Sequence, residues 1–172
     1  MKMLAPVVGL GLLGALGVFL YAQRATPAVA ATIPSSVAGF NVLYSVPGVI
    51  NSPANALATF FQCTNNSSDT LGAAVEIYGP NGGAPVNNVA ANSLGLAPGM
   101  TVLFGTGFAS AFAEDSVLAP GLVQKGSARI LVTAAPAAKY VMCSAFVADT
   151  VGNPPTSMTS LPIVKGLVQR GQ

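Results

Sequence analysis

The chain reads as all-β: an antiparallel β-sandwich of about seven to nine strands behind one N-terminal hydrophobic helix. Three observations lead there. From residue 32 onward, turn residues punctuate the chain at roughly ten-residue intervals, the spacing of a sandwich or barrel. The segments between them are rich in Val, Ile, Phe, Tyr and Thr, which suit a pleated, half-buried surface. No stretch beyond residue 31 sustains a helical apolar period, whereas residues 3–22 (MLAPVVGLGLLGALGVFLYA) are apolar almost throughout.

Each element follows in order. Residues 39–46 (GFNVLYSV) put Phe40, Val42, Tyr44 and Val46 on one face of a first strand. Residues 56–64 (ALATFFQCT) form a second, with Leu57, Phe61 and Cys63 sharing a face. Asn65-Asn66-Ser67-Ser68-Asp69 then turns the chain through short side chains that bond the local backbone. Residues 71–78 (LGAAVEIY) are a third strand, closed by Gly79-Pro80-Asn81-Gly82-Gly83, where Asn-Gly signals a hairpin into a weaker strand at 85–93. Pro98-Gly99 feeds a strand at 100–105, and residues 107–123 read either as a short helical turn or as an edge strand with a long loop. Residues 126–134 (GSARILVTA) and 139–149 (KYVMCSAFVAD) read as a hairpin across 135–138, with Val141, Cys143, Ala145 and Val147 on one face. Asn153-Pro154-Pro155 precedes a last strand near 157–164. Strands of this kind bury their alternating faces by stacking two sheets, and an immunoglobulin-like arrangement fits best, although no Trp is present for its core.

The N-terminus points to export. Met1-Lys2 is a short positive region, residues 3–22 are uncharged, and Ala28-Val29-Ala30 fits the small-residue cleavage rule. Residues 1–30 are therefore a signal peptide or a retained membrane anchor, since about twenty apolar residues also suffice to span a bilayer. Either way the remainder is periplasmic, extracellular or at the cell surface. An extended linker at 31–38, the sandwich at 39–165 and a tail at 166–172 complete the division. Gly9-Leu10-Gly11-Leu12-Leu13-Gly14 matches the dinucleotide fingerprint by chance, because no strand precedes it and no acid follows before Asp69. As a retained helix, the segment would offer Ala5, Gly9, Gly11 and Ala15 as small-residue contact positions for another membrane helix.

Composition narrows the function classes. The chain has no His, no Trp and only 7% charged residues. The acids are Asp69, Glu76, Glu114, Asp115 and Asp149; the basic residues are scattered, with no run to suggest nucleic acid. If Lys2 and Arg24 leave with a signal peptide, five of the seven basic residues face five acids, and so weakly charged a surface tends to associate. Nucleophile templates are empty, with no G-x-S-x-G, no S-x-x-K and no His to serve as base. Glu114-Asp115 would point to opposite faces of a strand, which suits capping better than acid–base chemistry. Glu76 with Glu114 or Asp149 would be the only other carboxylate pairing for glycoside chemistry, and calcium would have to come from Asp69 or from Asp149 beside Asn153. No catalytic residue, cofactor or metal ligand is expected. Asn65 and Asn66 match the glycosylation acceptor only formally.

Cys63 and Cys143 are mid-strand with apolar neighbours, and an even cysteine count in an exported chain favours a disulfide. It is expected to staple the second strand to the penultimate one as an inter-sheet bridge.

The segments FFQCTNNSSDTLGAAVEIYGPNGG, LAPGMTVLFGTG, KGSARILVTA and YVMCSAFVADTVGNPPTSMTSLPIVK together resemble a group of exported bacterial two-cysteine β-sandwich proteins of unassigned function. The resemblance covers about residues 56–165 and implies fold and compartment, with no catalytic residues to carry over. In composition the chain is also similar to chaperone–usher pilins, although its cysteine spacing departs from theirs. The expected function is non-enzymatic: a structural surface, matrix or filament component acting through protein contacts or self-assembly, by strand edges or the segment 25–38. The alternative is an accessory subunit of a membrane complex, anchored by residues 3–22.

Overall fold

The computed structural model describes residues 35–165, which are all-β. Ten strands follow in order: β1 Phe40–Ser52, β2 Leu57–Asn65, β3 Leu71–Tyr78, β4 Leu94–Leu96, β5 Thr101–Gly105, β6 Ser116–Val117, β7 Val123–Thr133, β8 Val141–Asp149, β9 Met158–Ser160 and β10 Val164–Lys165. The excess over nine comes from edge strands of two or three residues. The hydrophobic helix expected at 3–22 lies outside the described residues.

The ladders form two wings. One runs β4-β3-β7-β1-β10, the other β6-β5-β2-β8-β9. They join where Asn51 and Ser52 of β1 pair with Ala58 and Leu57 of β2. At this corner Pro53 opens a single 3-10 turn with its fixed φ, and Ala56 closes it at φ 49°, its N–H donating to the Pro53 carbonyl. All pairings are antiparallel except β5 with β6.

One apolar cluster takes side chains from both wings: Val46, Val75, Ile77 and Ile130 from the first, Phe61, Phe104 and Val141 from the second. Each is fully buried and contributes roughly 1.5–3 kcal/mol by leaving water. The outward faces are covered too. Over the second wing, Ala109 and Phe112 close onto Ala58, Phe60, Phe146 and Ala148. The Phe60, Phe112 and Phe146 rings sit 4.8–5.4 Å apart in one edge-to-face and stacked group. Over the first wing, Val37 and Val89 close onto Ala74, Leu131, Val42 and Phe40. Of the linker expected at 31–38, residues 31–34 lie outside the described residues, and Val37 packs against the sandwich.

Several expectations change. β7 and β8 are not a hairpin: β7 pairs with β1 and β3, β8 with β2 and β9, and a 3-10 turn at Pro136–Tyr140 carries the chain between wings. The predicted face of the first strand is split by a register shift between Val42 and Tyr44. Phe40 and Val42 consequently join the outer cluster, Val46 and Tyr44 the central one. The 85–93 strand does not form. After one backbone bond from Val86 N–H to the Ile77 carbonyl, the Asn87 side chain replaces the partner strand. It accepts from Ile77 N–H at 2.8 Å and donates to the Val75 carbonyl at 2.9 Å. Residues 107–122 are loop around the short β6, and Val123 already belongs to β7. The strand expected at 157–164 is two short pieces, because Pro162 lies between them and lacks an N–H.

Cys63 and Cys143 are joined, but within one wing. They are register partners on adjacent β2 and β8, with Cα atoms 4.2 Å apart, so the inter-sheet staple is corrected to a cross-strand tie. The closed loop spans 80 residues, for which loop entropy gives on the order of 4 kcal/mol. Cys63→Ala should lower the melting temperature by on the order of 10 °C under oxidising conditions. Reduced wild type should melt near the variant; an unchanged transition in both would remove the bridge from the energetics.

Candidate functional site

The acids are the natural starting point, and the fold commits them to the backbone. Glu114 Oε1 accepts from Ala109 N–H at 2.8 Å, pinning the cover of the second wing. Asp115 Oδ2 accepts from Leu103 N–H at 2.7 Å while its own N–H donates to the Leu103 carbonyl, so one residue occupies the outer edge of β5. Glu76 Oε1 accepts from Ser36 N–H at 2.6 Å, holding the segment that covers the first wing. Asp149 accepts from Gly152, Thr156 and Ser157 N–H at 2.6–2.8 Å and from the Thr156 hydroxyl. Glu114 thus caps the turn that starts at Ala109, whereas Asp115 binds a strand edge rather than a turn or helix end. Asp69 stands on an exposed loop, its carboxylate taking a long bond from the Ser68 hydroxyl at 3.4 Å.

Glu76 is the deepest of them. It is fully buried in the middle of β3, ion-paired to Arg129 of β7 at 2.6 Å, and its Oε2 accepts from the Tyr78 hydroxyl at 2.8 Å. Arg129 also bonds the Tyr78 hydroxyl and lies 4.8 Å above its ring. Register places Glu76 directly opposite Arg129. A buried ion pair tolerates removal of neither partner, since the survivor would be an uncompensated charge.

Asp149 has the clearest electrostatic signature. The amides of Ser157 and Gly152, joined by those of Thr156, hold its carboxyl down at about 2. A Cβ at Gly152 would come within 2.8 Å of Asp149 Oδ1 and of the Pro154 carbonyl, so this tight loop needs a glycine there. Its oxygens are thus occupied by the 150–157 loop rather than open toward a cation. Among the described residues, no three metal-ligating side chains converge.

Among the described residues, hollows lie at both ends of β2. At the corner end a hollow of about 440 Å³ is lined by Asn51, Leu57, Thr106, Phe108, Val117 and neighbours, none charged. A buried hydroxyl pair stiffens its floor: Thr106 Oγ accepts from Thr59 N–H, Thr59 Oγ accepts from Ile50 N–H, and both hydroxyls donate to the Ile50 carbonyl. Asn51 donates to the Gly121 carbonyl at 2.6 Å, tying the 117–122 loop to the same corner. At the other end a hollow of about 340 Å³ lies between the 66–69 turn and Pro136–Tyr140. Behind that turn Asn65 is fully buried, donating to the Asp69 and Leu96 carbonyls and accepting from Ser67, which leaves it no role as a glycan acceptor.

Of the sequence-derived residues, Cys63 and Cys143 are brought together, whereas Ala5, Gly9, Gly11 and Ala15 lie outside the described residues. Sequence reasoning named Asn65 as the first residue of a turn that bonds the local backbone, and passed over Asn87, Thr59 and Thr106. No protein-family model, curated protein or solved structure matches the chain.

Asp149 also sets a pH dependence. Its folded value of about 2 lies below the unfolded value of about 3.9, so its contribution is complete above pH 4 and is lost as pH falls through 2. Asp149→Asn should melt earlier at pH 7 and show a shallower decline between pH 4 and 2. Parallel wild-type and variant curves across that window would contradict the assignment.

Proposed function

We propose that this chain is an exported, non-enzymatic scaffold whose immunoglobulin-like sandwich works through protein contacts, as a component of a surface, matrix or filament. The observation that carries the reading is the use of the carboxylates: Glu76, Glu114, Asp115 and Asp149 each accept a backbone N–H of the same domain. Groups held this way serve the fold, and what the surface then offers a partner is shape and apolar area. The Cys63–Cys143 bridge supports an oxidising compartment, in keeping with the export segment at the N-terminus. A single core fed by both wings supports the two-sheet sandwich. Likeness to exported two-cysteine proteins belongs to the same reading.

Strand addition is the less favoured route to assembly. Asn87 and Asp115 occupy the edges of β3 and β5, and the terminal strands β4, β6, β9 and β10 have three residues or fewer. A second reading, an accessory subunit of a membrane complex, is favoured specifically by the length of the apolar stretch 3–22.

Native mass spectrometry of the protein, isolated gently from its own membrane and surface fractions, separates the two. Homo-oligomers of a chain starting near Ala31 and two hydrogens light are the expected result. A chain retaining Met1 and travelling with other membrane subunits would replace the first reading with the second.

A further inference from the structure

Asn81-Gly82 reads as a hairpin turn, but the strand it would feed does not form. The pair sits instead at the tip of an open loop, in which residues 80–84 are all exposed. Gly82 and Gly83 have φ of 69° and 91°, and a Cβ at either would meet nothing within 4 Å. The Gly82 amide nitrogen therefore lies next to the Asn81 side chain with no crowding around it. Its N–H donates to the Gly79 carbonyl at 3.2 Å, the long end of the normal range. The other asparagines are placed differently. Asn51, Asn55, Asn65, Asn87 and Asn92 each donate through the side-chain amide to a neighbour. Asn66 precedes Ser67, whose N–H already donates to Asn65 Oδ1 at 2.9 Å. Asn41 and Asn88 precede Val42 and Val89, whose branched side chains crowd the following amide, and Asn153 precedes Pro154, which has no N–H.

We propose that Asn81 is a site of spontaneous covalent modification, converting through a cyclic imide to aspartyl and isoaspartyl residues with water as the co-reactant. The Gly82 amide nitrogen gives up its proton and bonds to the Asn81 side-chain carbonyl carbon. The Cγ–Nδ2 bond then breaks, and ammonia leaves carrying a proton in its turn. Water adds to one of the two imide carbonyls and cleaves its bond to nitrogen. Opening at the side-chain carbonyl gives aspartate; opening at the main-chain carbonyl leaves the backbone running through the former side chain. Water is consumed, ammonia is released, and nothing is oxidised or reduced. Each event places a carboxylate at the loop tip and lowers the formal net charge of +2 by one. The sandwich can carry the change, because the loop is closed behind it by Val86 N–H on the Ile77 carbonyl at 2.8 Å and by the Asn87 side chain. The proposal stands on this loop alone and is independent of the scaffold reading.

The test stores the purified, folded chain in neutral and in mildly alkaline buffer, then maps its peptides by mass. Isoaspartyl groups are labelled with an isoaspartyl methyltransferase and a labelled methyl donor. Peptides spanning Asn81 are expected to separate into unmodified, aspartyl and isoaspartyl forms, the last two heavier by the difference between a carboxylic acid and an amide. Conversion should be faster in the alkaline buffer, since the attacking nitrogen must lose its proton. Asn81→Gln should abolish the isoaspartyl label and leave the melting temperature unchanged, because residues 80–84 are exposed. An Asn81 that remains an amide throughout storage would overturn the proposal. So would an aspartyl product with no isoaspartyl form, which would mean direct hydrolysis, or equal conversion at Asn66 or Asn92 in the folded chain.

Discussion

Successive side chains of a strand point to opposite faces, so an unbroken run of buried residues demands cover on both sides. Ala58 to Phe61 in β2 and Ala73 to Ile77 in β3 are such runs. Most of the architecture answers that demand. The two wings cover each other through one core, and the outer faces are closed by loops, with Ala109 and Phe112 on one side and Val37 and Val89 on the other. Loop backbone laid on an apolar surface loses water from its peptide groups, and each amide needs another acceptor. Glu114 and Glu76 supply it, for Ala109 and Ser36.

The sparse charge of the chain then has a structural meaning. With so few acids, committing Glu76, Glu114, Asp115 and Asp149 to amides leaves surfaces dominated by small and apolar residues. The disulfide belongs to the same logic. β8 has β2 on one side and only the three-residue β9 on the other, so a covalent tie to β2 secures a strand with little edge support. The corner between wings is sealed differently, by threonine hydroxyls and Asn51.

Much of this was legible in the sequence, and the failures are instructive. Turn spacing and residue type located β2, β3, β7 and β8 to within a few positions, whereas β1 runs on to Ser52, past the end expected at 46. β7 and β8 were misjoined because their longest pairings are not local: β7 with β1 and β8 with β2 join residues far apart in the chain, across a connection that looked short enough for a hairpin. The face of β1 was misread because one register shift inverts every side chain beyond it. The cysteine pairing could be read from count and compartment, yet its cross-strand geometry depended on which strands were neighbours. Asn87 and Thr106 carried no signal, since an amide that imitates a strand or a hydroxyl that seals a corner is recognisable only from what lies opposite.

The most direct measurement is residue-resolved hydrogen exchange of the wild-type chain. The amides of Ser36, Leu103, Ala109, Thr156 and Ser157 lie in loops or at an outer edge, yet each donates to a carboxylate. If carboxylates hold the covers in place, these amides exchange nearly as slowly as the central ladder of β2. Exchange at the rate of free loop backbone would mean that the covers are not fastened, and that the acids have been assigned the wrong task.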